Sequence, residues 1–414
     1  MRKSNIELII GFKEVFDLKN TENRDLTRSN NLKLVMQQLF NHDESSRAEI
    51  ARKLGMSRST ISSLFNELDE QGYIKHLGRG GSSVVGGRKP EMVQLNSHYG
   101  FIASFNITHA HLYAGFFYLN GEKILYQRKN ILEHHNILEL LATMSGYLDE
   151  AIANDDTVHG LLGIGISMHA VIDNGEVIDS PFVKMDGISI RDYFTAKYSI
   201  PVIVENEANL AAIFERDFDV DAPVSGNMVV LSIHQGLGTG IIANGHLFTG
   251  FHGMAGELGR AQIYSRDGHR LQQVSRIISE DVLIADLASA GSLDKIDYSN
   301  IAQICKHPTT EVEKVLDEFA DNMGLLLNNA LMIYGPQKIY ISCNVMELIP
   351  LLQKKIKQLF GSYNQNVSVE FVVGARYISM LGAAAIVTRE ALKLQDFKLH
   401  FRWPLEFSKN ESEQ

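Results

Sequence analysis

The spacing of apolar residues changes near residue 97 and divides the chain. Before that point Ile50, Leu54, Ile61, Leu64, Phe65 and Leu68 recur three or four positions apart, which predicts helices with one buried face. Gly55 falls where the first of these helices must stop, a left-handed C-cap position. Ser57 follows as an N-cap. Two helices joined by a short turn containing Gly form a helix-turn-helix. Leu32, Val35, Met36 and Leu39 have helical spacing and supply a preceding helix. Gly72 to His76 and Met92 to Leu95 read as strands around a Gly-rich, basic tip, the shape of a wing.

After residue 97 the pattern alternates between strand and helix. Phe101–Ile107 and Leu112–Leu119 predict a hairpin, and Ile137–Ala153 a helix. Gly160–Ser167 predicts a buried strand. Val202–Val204 is another, running through Glu205, Asn206 and Glu207 into a helix ending near Arg216. Met228–Ile233 meets the Gly-rich run Gly236–Gly240, and Lys338–Ser342 precedes a helix from Val345 to Phe360. This is an α/β architecture, with helices packed on mixed sheets.

Composition narrows the function. The 414 residues allow two or three domains. No apolar run is long enough to span a bilayer, and the first residues lack the pattern of a signal peptide, so a cytoplasmic protein is expected. Two cysteines, Cys305 and Cys343, do not make a disulfide framework. Residues 1–91 hold 15 Lys and Arg against 12 Asp and Glu, while the rest holds 24 against 37. An acidic body repels DNA and confines any contact with it to the N-terminal module.

A recognition helix reads bases with its N-terminal residues. Here these are Ser57, Arg58, Ser59, Thr60 and Ser63, hydroxyls and one guanidinium suited to phosphate oxygens and base edges. Arg47 opens the preceding helix, and Arg79, Arg88 and Lys89 of the wing are candidates for phosphate or minor-groove contacts.

Several stretches together carry a resemblance. They are Ser46–Ala51, Gly86–Pro90 with Leu95-Asn96, Gly163–Ile166 with Val171–Asp173, Pro201–Asn209, Gly236–Gly240 and Gly253–Gly259. In these the chain resembles the ROK family of repressors, open reading frames and sugar kinases, and specifically its repressor branch. The resemblance implies a winged helix-turn-helix followed by a two-lobed, actin-like sugar-kinase fold with a sugar in the cleft. The expected divisions are an extension over 1–28, the DNA module over 29–96, the kinase-like domain over 97–394 and a tail over 395–414. The extension is amphipathic and suits packing on its own chain or on a second subunit.

The same resemblance implies that catalytic parts are missing. Kinases of this fold need a phosphate-binding hairpin with Asp and Gly, a second Gly-rich loop and an Asp base at the acceptor hydroxyl. Asn106 and Thr108 stand in place of the hairpin's Asp and Gly, and Glu207 in place of the base. The loop Gly236–Gly240 is intact and reads either as a phosphate loop or as a strand-to-strand turn. Arg260 replaces the His of the family's zinc site and the cysteines are absent, so no metal and no cofactor are expected. Asn206, Glu207, Glu257, Arg260 and His169 are the candidate sugar-binding residues, with His169 equally suited to a structural role. Arg260 leaves room for an anionic ligand.

These readings favour a non-enzymatic, sugar-controlled regulator of carbohydrate-use genes. Its expected partners are double-stranded operator DNA, a sugar effector and a second copy of itself. The alternatives are an active sugar kinase with an added DNA module, and a regulator answering to a protein partner.

Overall fold

The computed structural model describes residues 25–79, 90–132, 136–219, 221–222, 226–264, 269–293, 298–364 and 366–402. Two compact units divide between Tyr99 and Gly100, three residues beyond the expected boundary. In the first unit, helix α1 covers 25–41 and so begins ahead of the expected start at 29. Strand β1 (Ser45–Ser46), helices α2 (Arg47–Leu54) and α3 (Arg58–Glu70), and strands β2 (Ile74–Arg79) and β3 (Glu91–Leu95) follow. The strands pair antiparallel in the order β1-β3-β2.

Local chemistry sets these helix ends. The Ser46 hydroxyl accepts from the Glu49 amide and caps α2. Gly55 takes φ 64° at its C-cap, where a Cβ would be strained. The Ser57 hydroxyl accepts from the Thr60 amide and caps α3. Val35, Met36, Leu39, Ile50, Ile61, Leu64, Phe65 and Leu68 are buried together with Val93. Each large apolar side chain of this kind contributes about 1.5–3 kcal/mol. The basic tip with Arg88 and Lys89 lies outside the described residues.

The second unit contains two five-stranded sheets of one topology. The first uses β4 (Phe101–Ile107), β5 (His111–Tyr118), β6 (Lys123–Asn130), β7 (Leu161–Met168) and β10 (Val202–Asn206), in the order β10-β7-β4-β5-β6. Between them lie α4 (Ile137–Ala153), the hairpin β8 (Val171–Asp173) with β9 (Glu176–Asp179), and α5 (Ile190–Tyr198). After α6 (Glu207–Phe218), the second sheet uses β11 (Met228–Ile233), β12 (Leu237–Ala243) and β13 (His246–Leu247). A small hairpin, β14 (Gln262–Tyr264) with β15 (Leu271–Gln273), leads to α7 (Glu280–Ala290), α8 (Tyr298–Lys306) and α9 (Thr310–Tyr334). Then come β16 (Lys338–Ser342), α10 (Asn344–Glu347), α11 (Pro350–Tyr363), β17 (Ser368–Phe371) and α12 (Ala375–Ala391).

In both sheets the first strand of the set is central. It pairs antiparallel with the second, which pairs with the third, and parallel with the fourth, which pairs parallel with the fifth. The chain therefore builds the same half twice, each half on its own apolar core. α6 and α12 pack on each other and on strands of these sheets. The approach is close: a Cβ on Gly240 would stand 2.1 Å from the Ala208 carbonyl oxygen. Gly240 is thus required by helix-on-strand packing.

Two expectations need correction. The single helix from Val345 to Phe360 is two helices, α10 and α11. Pro350 lacks an amide proton and starts a new helix at its first position. Residues Leu392–Leu399 also do not follow the expected division at 394/395. They cluster with the N-terminal unit, where Gln37 and Asn41 both donate to the Lys398 carbonyl at 2.8 and 2.9 Å. Residues 403–414 lie outside the described residues.

Candidate functional sites

In the first unit, α3 exposes Ser57, Arg58, Ser59, Thr60 and Ser63, while its opposite face buries Ile61, Leu64, Phe65 and Leu68. The Ser57, Ser59 and Thr60 hydroxyls are joined at 2.9 Å, and Ser63 accepts from Arg28 at 3.2 Å. This row is hydrogen-bonding and solvent-facing. Arg79 is exposed at the end of β2. Arg47 is half-buried: its guanidinium lies 5.3 Å over the Phe65 ring and donates to Asn66. Packing therefore occupies much of the Arg47 side chain.

In the second unit, all five candidate sugar-binding residues line one cavity of about 310 Å3. His169 follows β7, Asn206 ends β10, and Glu207 begins α6. Both strands are parallel, and their carboxyl ends form a crevice, the usual ligand position in α/β sheets. Glu257 and Arg260 come from the loop after β13.

Their chemistry is largely engaged already. The Asn206 side chain accepts from the Ala208 and Asn209 amides and donates to the Ala170 carbonyl at 2.7 Å, so it caps α6 and ties it to the turn after β7. Arg260 reaches Glu257 at 2.8 Å and Asp179 at 2.9 Å. Two carboxylates thus face the one guanidinium, which removes the argument for an anionic ligand there. Beyond Arg260, β14 and β15 are joined by their own antiparallel ladder. Among the described residues no group of three or more His, Cys, Asp or Glu is placed to hold a metal ion.

The centre of the site was not foreseen. His234 lies 3.4 Å from Glu207 and 3.7 Å from Glu280, and its ring centroid is 5.5 Å from that of His169. The Ser232 hydroxyl donates to Glu207 at 2.8 Å. Glu280 accepts from the Val345 amide. Burial opposes charge on His234, but the two carboxylates outweigh it and raise its pKa. Burial likewise opposes charge on Glu207, and His234, His169 and Ser232 outweigh it and lower its pKa. Burial lowers the pKa of His169. His234 sits at the end of the apolar strand, next to the glycine loop, and that adjacency was the available signal. Glu280 had none, because it is distant in sequence from both partners.

A second cavity of about 270 Å3 adjoins the first and shares His169, Phe182, His234 and Gln235 with it. Asn106 lines it, almost fully buried, with its carbonyl oxygen unpartnered. The Thr108 hydroxyl closes the β4–β5 hairpin on itself, accepting from the His111 amide and donating to its carbonyl.

A family model described as ROK family matches residues 118–390, and one described as winged helix-turn-helix DNA-binding matches residues 28–75. The chain belongs to the ROK family. Its N-terminal module makes it a DNA-binding transcriptional regulator of that family. It is 34% identical over 386 residues to the xylose repressor of Lactiplantibacillus pentosus, covering 92% of this chain and 99% of that one. It is 27% identical to the xylose repressor of Staphylococcus xylosus, covering 90% and 98%. A solved ROK family transcriptional regulator, a homologue of the E. coli MLC protein, shares the fold. Its TM-score is 0.72 at 19% identity, covering 90% of this chain and 98% of that one.

Proposed function

We propose that this ROK regulator is a repressor of carbohydrate-use genes, and that a neutral sugar in the 310 Å3 cavity controls it. The supporting observation is the convergence of His169, Asn206, Glu207, Glu257 and Arg260 on one polar crevice in a chain that carries a DNA module. Carboxylates and amides in such a crevice take hydrogen bonds from adjacent hydroxyls. The names of the relatives favour xylose as the effector. A homodimer sets two recognition helices on a palindromic operator in the cytoplasm, its half-sites roughly 34 Å or a multiple apart. The sugar alters operator affinity only by its differential affinity for the two states.

No phosphoryl transfer accompanies binding in this reading. Asn106 is neutral, Thr108 spends its hydroxyl on its own hairpin, and Glu207 is held by Ser232 and His234. The test is an operator titration with and without xylose. Glu207→Ala and Glu257→Ala are expected to bind operator normally and to lose the sugar response. A normal response in both variants overturns the assignment. Asn206→Ala is expected to lose about 1 kcal/mol of stability through its cap.

A further inference from the structure

We propose that Asp179 is a positioning residue of the effector cavity: from the β8–β9 hairpin it holds Arg260 across the rim and clasps the two halves of the second unit together there. The proposal rests on the sugar reading above and adds to it a residue outside the cavity lining.

The cavity takes its walls from both halves. Ala170, Pro181 and Phe182 belong to the segment after β7 of the first sheet, while Gly238, Glu257 and Arg260 come from β12 of the second sheet and the loop after β13. The β8–β9 hairpin lies within the first of these segments and ends at Asp179, two residues before Pro181. Its turn is anchored on its own half, where Arg191 of α5 donates to the Asn174 carbonyl at 2.6 Å and pairs with Glu176 at 2.6 Å. The loop after β13 is bedded on the other half, since a Cβ on Gly256 or Gly259 would run into the Thr239 or Leu237 carbonyl oxygen of β12.

Two side-chain contacts and one backbone contact join these segments. Asp173 of β8 lies 2.7 Å from Nδ1 of His252, and Asp179 at the end of β9 accepts from Nη2 of Arg260 at 2.9 Å. A Cβ on Gly253 would run into the Ile172 carbonyl oxygen, so loop and strand meet with no side chain between them. The Arg260 guanidinium is shared, because its Nε lies 2.8 Å from Oε2 of Glu257. Asp179 therefore ties the wall that carries Pro181 and Phe182 to the wall that carries Glu257, and it draws one end of the guanidinium away from Glu257. Without Asp179 the guanidinium can close on both oxygens of Glu257 as a fork and take the acceptors that sugar hydroxyls require. Both side-chain pairs are partly exposed to solvent, so each is worth about fivefold at most. A sugar that binds the clasped form has an affinity proportional to the population of that form.

The experiment uses the full chain, with D-xylose as the probe in calorimetric titration and hydrogen exchange of the sugar-free protein as a second readout. Asp179 is exposed, so replacing it leaves both apolar cores in place. Asp179→Asn removes the charge at nearly constant shape and is expected to bind xylose about three- to fivefold more weakly than wild type. Asp179→Glu keeps the charge and is expected to stay within about twofold of wild type. D173N/D179N is expected to bind more weakly than Asp179→Asn alone. In that double variant the backbone amides of 171–182 and 250–260 are expected to exchange at least about threefold faster, with those of Met228–Ile233 unchanged. Xylose binding by Asp179→Asn within about twofold of wild type overturns the proposal. So does a loss in Asp179→Glu as large as that in Asp179→Asn. Unchanged exchange in D173N/D179N overturns the clasp whether or not xylose binds. If wild type binds no xylose, the sugar reading itself fails, and the exchange comparison still decides whether the clasp exists.

Discussion

Helix α3 and the 310 Å3 cavity treat their polar groups in opposite ways. On α3 the row from Ser57 to Ser63 faces solvent, and its members bond mainly to one another. In the cavity Glu207 is buried and Asn206 partly so, and both are committed to partners from other elements before any ligand arrives. The first arrangement suits a partner that brings its own charges and hydration. The second suits a small molecule that must be oriented, because a polar group held in advance loses little freedom on binding. Substitutions should therefore separate the regions: changes on α3 alter binding and spare stability, and changes around the cavity's supporting helices do the reverse.

The largest expected effect tests the buried side of this contrast. Asp217 near the end of α6 is fully buried and pairs with Arg216 and Arg389. Asp217→Ala leaves the buried Arg389 cation without its carboxylate and is expected to cost about 3–5 kcal/mol in urea unfolding. The exposed pair Lys355–Asp317 is expected to be worth under about 1 kcal/mol in the same assay, and equal losses would break the contrast.

The next effect is a pH dependence. The raised pKa of His234 means that its contribution is full below the ordinary histidine value of 6.5 and is lost as pH rises through the raised one. The lowered pKa of Glu207 means that its contribution is full above 4.5 and is lost as pH falls through the depressed one. Their joint stabilisation is therefore greatest between those two ordinary values. Relative to His234→Gln, wild type is expected to lose stability above pH 6.5 by no more than about 1.4 kcal/mol per pH unit. A stability difference flat from pH 5 to 9 would show that the pair does not titrate as described.

On the exposed side, Arg58→Ala is expected to weaken operator binding by about 1–3 kcal/mol with unfolding unchanged, if the guanidinium reads a guanine. A fluorescence titration on operator and scrambled DNA measures it, and loss of preference for the operator is the expected sign. A smaller effect than that of Arg58 is expected at Ser57, where alanine removes the α3 cap and costs about 1 kcal/mol of stability. That variant sharpens the comparison, since it is the one exposed hydroxyl of the row with a structural duty.

The helix-turn-helix was legible because everything that defines it is local. Periodicity places the buried face of α3, and what is not on that face is exposed. Its caps lie within a few residues of the ends they close. The five cavity residues were legible only through resemblance, since nothing in their spacing says that Glu257 returns to Glu207 across fifty residues. Pro350 illustrates a local signal passed over, where a continuous apolar period concealed a break that proline chemistry imposes.

The sequence by itself therefore determined the helices of the N-terminal module, their caps and the solvent-facing row of α3, because each depends on neighbours along the chain. Tertiary structure alone decided that Arg260 is neutralised by Glu257 and Asp179, that Arg47 lies on Phe65, and that His234 stands between Glu207 and Glu280. The physical reason is that the charge state and reach of a buried group depend on what the fold packs against it, and those partners come from strands and helices far apart in sequence.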